Sequence, residues 1–297
     1  MLEGTESLSK KLLLRPDVQL VYRNLTTTSH PKPTLVFIHG WAGSANDWRL
    51  LVDQFVARGE AVLVYDAAGF GESQFTDKKT AQRANYSLER YVEDLKLLLE
   101  AEGISKVRLV GHSWGGVVAM SFAAQYPTQT ENLVVLSSAY FDPSNLLHRV
   151  LKWASFLIGW FLILCKPLLR YLTWLHRLSL RPYFHRPPSA TEVELLINDV
   201  LRSNNRAIIQ TLMLGYTVQF KKLCPDIQCP TLYVGTGQDI IAPLTYVKAF
   251  MPLTIRSFCA ILEDCGHFPM LEQPERLLLL LDSFFKAGDT VISHAKF

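Results

Sequence analysis

From residue 34 onward, short apolar runs rich in β-branched residues alternate with longer stretches whose apolar positions recur three and four apart. The short runs carry too few polar residues to leave one face in water, so they read as strands covered on both sides. The longer stretches read as helices packed on such a sheet. The pattern predicts strands over 34–38, 61–65, 106–110, 133–138, 231–235 and 257–262, with 19–23 as an additional antiparallel edge strand. It predicts helices over 45–57, 88–101, 114–126, 243–250 and 274–286. Strand and helix in alternation make an α/β fold, a mostly parallel sheet flanked by helices.

The alternation stops after Ser138 and resumes at Pro230. This divides the chain into a core in two parts, 1–139 and 230–297, and an inserted segment, 140–229, rich in Leu, Trp and Arg. Between Asp142 and Glu192 there is no acidic side chain, whereas Arg149, Lys152, Lys166, Arg170, Arg177, Arg181 and Arg186 are all basic. The longest uncharged run there, 153–165, has 13 residues. That is short of the ~18–20 needed to cross a bilayer. Two arrangements suit it. One is a lid helix packed over the core, apolar all round. The other is a helix lying at a membrane interface, with Trp160, Arg170, Trp174 and Arg177 as its aromatic and basic flanks.

Composition narrows the class. A chain of 297 residues, 49% of them hydrophobic, buries a large core. With 16 glycines, 15 prolines and 5 cysteines it is neither a low-complexity protein nor a disulfide-framed one. A net charge of +3 is too near balance to indicate nucleic acid. The amino-terminal residues lack the continuous apolar stretch of a secretory signal, and the odd, scattered cysteines suit a reducing compartment. The expectation is a cytoplasmic protein, peripheral on a membrane where the inserted helix lies on one.

The chemistry centres on Gly111-His112-Ser113-Trp114-Gly115, a G-x-S-x-G between a predicted strand and a predicted helix. A sharp strand-to-helix turn strains the serine backbone, and only small residues on either side let the neighbouring elements approach so closely. Ser113 then projects its hydroxyl above the sheet, where the helix dipole favours negative charge. A serine hydroxyl needs a general base and a group that orients the base. His267, in Cys265-Gly266-His267-Phe268-Pro269, follows the last predicted strand and suits the base. His148, His176 and His185 fall in the insertion, His112 adjoins the serine with its side chain directed elsewhere, and His30 and His294 lie near the ends. Asp239 follows the preceding strand and suits the acid, in the order Ser, Asp, His. Its bland alternative is a helix cap before Pro243, and Asp142 is the rival acid. Backbone N–H groups of Trp41, after His39-Gly40, and of Trp114 suit an oxyanion hole. The glycine-rich run from Asp66 to Ser73 lacks the Lys-Ser/Thr ending of a phosphate-binding loop. The histidines and cysteines show no metal-ligand spacing, so no metal or other cofactor is expected.

Together these motifs resemble the α/β-hydrolase superfamily, in its cap-bearing branch. The resemblance rests on His39-Gly40-Trp41, the D-x-x-G-x-G-x-S of Asp66 to Ser73, the turn around Ser113, the loop of Asp239, and Gly266-His267. It implies an eight-stranded, mostly parallel sheet with a helical cap between strands six and seven. It departs from many relatives in the bulky Trp114 after the serine. Relatives that open epoxides or remove halides carry aspartate where this chain has Ser113, so those activities are not expected. The leading expectation is a serine hydrolase acting on a small lipophilic carboxylic ester through an acyl-enzyme on Ser113, with His39, His112, Trp160 and Phe268 as substrate-binding candidates. A cofactor-free oxygenase, a lyase, a carbon-carbon hydrolase or a hydrophobic-ligand binder with a weak triad fits the same residues.

Overall fold

A computed structural model describes residues 9–25, 33–142, 144–171, 173–287 and the pair Ala295–Lys296. The strands are β1 (Lys10–Arg15), β2 (Val18–Leu25), β3 (Thr34–Ile38), β4 (Val62–Tyr65), β5 (Gln74–Phe75), β6 (Val107–His112), β7 (Thr130–Leu136), β8 (Thr231–Thr236), β9 (Ser257–Leu262) and β10 (Ala295–Lys296). They form one sheet in the order β1-β2-β4-β3-β6-β7-β8-β9-β10, with β5 paired to β2. From β4 to β10 every pairing is parallel, while β1–β2 and β2–β4 are antiparallel. Among the described residues β5 and β10 have two residues each, so eight longer strands carry the sheet there.

Segment 19–23 is part of an antiparallel strand, but it is not the edge. β1 covers β2 on its outer side. The sequence pattern hides β1 because most of Lys-Lys-Leu-Leu-Leu-Arg stays in contact with water, Leu13 included, so no buried stripe is visible.

Side chains along the central strands point alternately to two apolar layers. Val36 and Ile38 of β3 meet α3 (Leu88–Ala101) and α4 (Trp114–Gln125), whereas Leu35 and Phe37 meet α1 (Arg49–Ala57) and α12 (Pro274–Ala287). Ser87 starts α3 by accepting the Arg90 N–H on its side chain. Every residue of α4 from Trp114 to Ala123 is buried, which is why this helix is apolar around its circumference.

Between β7 and β8, the sixth and seventh of the longer strands, lie α5 (Leu146–Cys165), α6 (Thr173–Leu180), α7 (Ala190–Arg202), α8 (Asn205–Leu214) and α9 (Phe220–Leu223). Because β7 and β8 are parallel neighbours, the chain must cross from one end of the sheet to the other between them. The insertion is that crossover, drawn out; Phe220 and Cys224 at its end pack back into the layer containing α4.

The start of α8 fastens the insertion to the core. Asn204 N–H donates to the Gly69 carbonyl at 2.7 Å, the Arg206 guanidinium to the Ala84 carbonyl at 2.8 Å, and Tyr86 N–H to the Gln210 side chain at 2.9 Å. From α7, Asp199 accepts the Ser44 hydroxyl at 3.0 Å. This last junction gathers negative charge, for Asp47 and Asp66 stand close by. Burial, and next the charge of Asp199, push Asp47 well above the usual carboxylate range. Burial pushes Asp199 up to about 7, against the Ser44 hydrogen bond and the charges of Arg202 and Arg49.

A carboxyl raised on folding stabilises the fold fully below its unfolded value near pH 4 and loses that contribution as pH rises through about 7. Asp199→Asn is therefore expected to melt roughly 2–4 °C higher than the parent at about pH 8 and to lose that advantage at about pH 5, as read by thermal unfolding at both pH values.

Candidate active site

The turn from β6 into α4 takes place at one residue. Ser113 has φ 52° and ψ −117°, a left-handed backbone that a side chain disfavours. Three hydrogen bonds hold it there: Ser113 N–H to the Leu136 carbonyl at 2.8 Å, Gly116 N–H to the Ser113 carbonyl at 3.0 Å, and the Ser138 hydroxyl to that carbonyl at 2.8 Å. The turn is crowded on the far side. A Cβ on Gly115 would stand 2.3 Å from the His39 carbonyl oxygen and 2.4 Å from that of Ile38. A Cβ on Gly40 would meet the His112 ring at 2.6 Å and Ser113 Cβ at 3.5 Å. The end of β3 thus lies directly on the first turn of α4. It brings the Trp41 loop beside Ser113, where first-turn amides such as that of Trp114 have no acceptor within their own helix.

The loops after β8 and β9 bring Asp239 and His267 together. His267 Nδ1 donates to Asp239 Oδ2 at 2.8 Å, and both residues are buried. The other Asp239 oxygen accepts the Ile241 and Ala242 N–H groups at 2.8 and 2.9 Å. The turn-capping and ring-orienting roles therefore coexist in one carboxylate, one oxygen each. Burial raises Asp239, but the His267 ring and the two amides outweigh it and hold the carboxyl below its usual range. With Nδ1 so engaged as a donor, Nε2 of the neutral ring is the nitrogen that carries the lone pair.

Two further histidines brace this arrangement. His112 Nε2 bonds the His267 carbonyl at 2.8 Å, with the rings 4.8 Å apart. Burial, then the neighbouring His267, push His112 down to about 3, so its ring is neutral at physiological pH. His39 accepts the Ala67 N–H on Nε2 at 3.0 Å and so donates from Nδ1 to the Gly40 carbonyl at 2.7 Å. Both rings are fully buried in these backbone bonds. His39 and His112 therefore brace loops around the site and do not line a substrate pocket, which corrects the expectation from sequence. Trp160 is corrected too: it stands on α5, 48% exposed, packed at 6.4 Å on Phe156. Phe268 remains beside the site, its ring 5.2 Å from that of His267 and 5.2 Å from that of Phe184 in the insertion. Asp142 is not the partner of His267. Its carboxylate accepts from Ser144 and from Lys221 at 2.9 Å, and the Ser144 hydroxyl, then Lys221, hold it far below the usual range. Trp114 turns its indole away into a cluster with Tyr91 and Phe70, at 4.6 and 5.7 Å between rings. His30 and His294 lie outside the described residues, as do the side chains of Arg170 and Trp174.

The sequence did not reveal how the insertion reaches the site. Glu272 accepts the Gly266 N–H on one oxygen at 2.8 Å and the His185 N–H on the other at 2.7 Å. Beside it, His267 N–H donates to the Tyr183 carbonyl at 2.7 Å. Arg186, paired with Glu192, also reaches the Leu271 carbonyl at 3.1 Å. On the opposite side, the Trp41 indole N–H donates to the Ile208 carbonyl of α8 at 2.8 Å. Segment 183–186 is thus fastened to the His267 loop, and α8 to the Trp41 loop.

Residues 33–274 match the sequence model of a family described as the alpha/beta hydrolase fold. The chain is 23% identical to a proline iminopeptidase of Lactobacillus helveticus, over 90% of this chain and 95% of that protein. It is 31% identical to epoxide hydrolase 1 of Caenorhabditis elegans, over 54% of this chain and 37% of that protein. Its fold is similar to the crystal structure of a membrane phospholipase A, a bacterial virulence factor. That likeness has a TM-score of 0.77 and 24% identity, and covers 95% of this chain and 87% of that one.

Replacing Glu272 by Gln sets one amide donor against another, because Gln offers a single acceptor to two N–H groups. Glu272→Gln is expected to lose about 1–3 kcal/mol of stability, measured by denaturant unfolding.

Proposed function

Because the chain belongs to the α/β-hydrolase family, we propose that it is a serine hydrolase that cleaves lipophilic carboxylic esters through an acyl-enzyme on Ser113. The observation that carries this reading is the strained Ser113 turn, joined through the adjacent His112 to the loop of an Asp239–His267 pair at 2.8 Å. Ser113 Oγ attacks the ester carbonyl carbon and gives its proton to His267 Nε2. The carbonyl oxygen takes the negative charge and accepts from the Trp41 and Trp114 N–H groups. When the tetrahedral adduct collapses, the C–O bond breaks and the alcohol leaves with the proton from His267. Water then attacks the acyl-serine carbon and gives a proton to the same nitrogen; the C–Oγ bond breaks, the proton passes to Ser113 Oγ, and the acid is released. Asp239 holds the ring in the tautomer that both halves require.

The nucleophile argues against epoxide opening, which uses an alkyl ester on a carboxylate, and here the side chain is a hydroxyl. A substrate with a free amino terminus carries a cation, and the insertion is poor in carboxylates to meet it. Residues 143–191 include no acid, and Glu192 is engaged by Arg186. An apolar acyl group suits the insertion better. Phe184 and Leu196, which it packs into the layer beside the His267 loop, are both apolar and buried. Each methylene buried there is worth about 0.8 kcal/mol.

A fluorophosphonate probe followed by intact-protein mass measurement tests the nucleophile without choosing a substrate. The expected result is a single adduct on the parent protein and none on Ser113→Ala. Asp239→Asn is expected to lower kcat/KM on short-chain esters about a thousandfold or more, since the ring is then held in the wrong tautomer. Undiminished labelling of Ser113→Ala would overturn the assignment.

A further inference from the structure

The helix α5 is inside out for a protein surface. Its one buried position is glycine: Gly159 sits against Leu212 and Ile209 of α8, and on the same side the Ser155 hydroxyl bonds the Tyr216 hydroxyl at 2.7 Å. Its outer side is apolar and bare. Leu147, Val150, Trp153, Leu157, Ile158, Phe161 and Leu164 are each between 57% and 72% exposed. At 100° per residue these positions, with exposed Trp160 and Leu151 at the two borders, sweep a continuous half of the helix with no charge among them. A contiguous apolar surface of this kind marks an interaction site.

Length and composition would let α5 cross a bilayer, for the apolar stretch Leu146–Leu169 has 24 residues and is almost wholly unburied. Its fastenings argue that it lies flat. At its start, His148 accepts the Asp142 N–H at 2.8 Å, and just past its end, Lys166 bonds the Ser203 carbonyl and Asn205. In between, α5 packs on α8, which is itself fastened to Gly69, Ala84 and Trp41. Both ends of α5 are therefore held against one body, whereas a spanning helix of 20 residues would part its ends by ~30 Å of hydrocarbon.

The charge around this face selects the partner. Arg149 on α5 and Arg177 on α6 are exposed, and the sequence from 143 to 191 has seven cations and no acid. Trp153 and Trp160 stand along one border of the apolar half, where indoles prefer the boundary between hydrocarbon and headgroups. We infer that α5 lies in the interface of an anionic phospholipid bilayer, its apolar half among the acyl chains and its basic neighbours among the headgroups. This docking stands on the surface itself, whichever bond Ser113 cleaves.

Flotation with vesicles of phosphatidylcholine and phosphatidylserine tests it on the full chain. The parent protein is expected to float with these vesicles, less so as salt rises, and poorly with phosphatidylcholine alone. Leu157→Asp with Phe161→Asp, both at exposed positions, is expected to reduce binding about tenfold or more per side chain, with the far-UV spectrum unchanged. Arg149→Gln with Arg177→Gln is expected to weaken binding and flatten its salt dependence. Failure to float at low salt overturns the inference, as does undiminished flotation of the Leu157→Asp, Phe161→Asp protein. A lipid-free dimer that these two substitutions dissolve, with no capture by vesicles, overturns it in favour of a second copy as the partner.

Discussion

The close approach of two backbones, at Gly115 against the carbonyls of Ile38 and His39, underlies the whole site. No side chain fits between them, so the end of β3 and the start of α4 come within one van der Waals layer. That approach leaves Ser113 no room except the left-handed turn, a conformation that costs on the order of 1–3 kcal/mol. The surrounding bonds to Leu136, Gly116 and Ser138 over-determine it. The same approach sets the Trp41 loop beside the serine. The Ser113 turn and the Trp41 loop are therefore positioned together by one packing constraint, and a shift in either would move both.

Much of this was legible in the sequence because it is written in local rules. Buried parallel strands are apolar runs, so β3, β4, β6, β7, β8 and β9 were readable to within a few residues. The turn at Ser113 requires small neighbours, and Gly111 and Gly115 announce it. The pairing of Asp239 with His267 could be read from their positions after successive strands. What stayed hidden depends on partners distant in sequence. The Glu272 bonds to Gly266 and His185 join the core to the insertion across 87 residues, and nothing local distinguishes that glutamate from a surface one. His39 and His112 looked like pocket residues by proximity to the motifs, yet both ring nitrogens of His39 and Nε2 of His112 are taken by backbone groups that only the assembled fold supplies. β1 escaped because its pairing with β2 is made in the backbone and most of its side chains stay in contact with water.

The insertion touches the two sides of the candidate site separately. Segment 183–186 holds the His267 loop, and α8 holds the Trp41 loop. α5 packs on Leu212 and Ile209 of α8, and Ile208 of the same helix accepts the Trp41 indole N–H, so one helix touches both the helix with the exposed apolar face and the Trp41 loop. The family assignment says nothing of this linkage. It follows from where the hydrogen bonds fall.

The helical insertion is also the only covalent route from β7 to β8, two strands that run side by side in the same direction. It is not an ornament on a hairpin that could be trimmed at its base. Excising it would leave two parallel strands whose facing ends lie at opposite edges of the sheet, and rejoining them would take a bridge of a dozen or more residues, helical by preference. A short and a long version of this connection would therefore differ only in length, because the parallel pairing of β7 and β8 requires a crossover in either case. Lengthening is cheap in entropy, because closure of a loop grows only with the logarithm of its size. New substrate preferences can therefore be explored in that connection while the sheet beneath keeps its register.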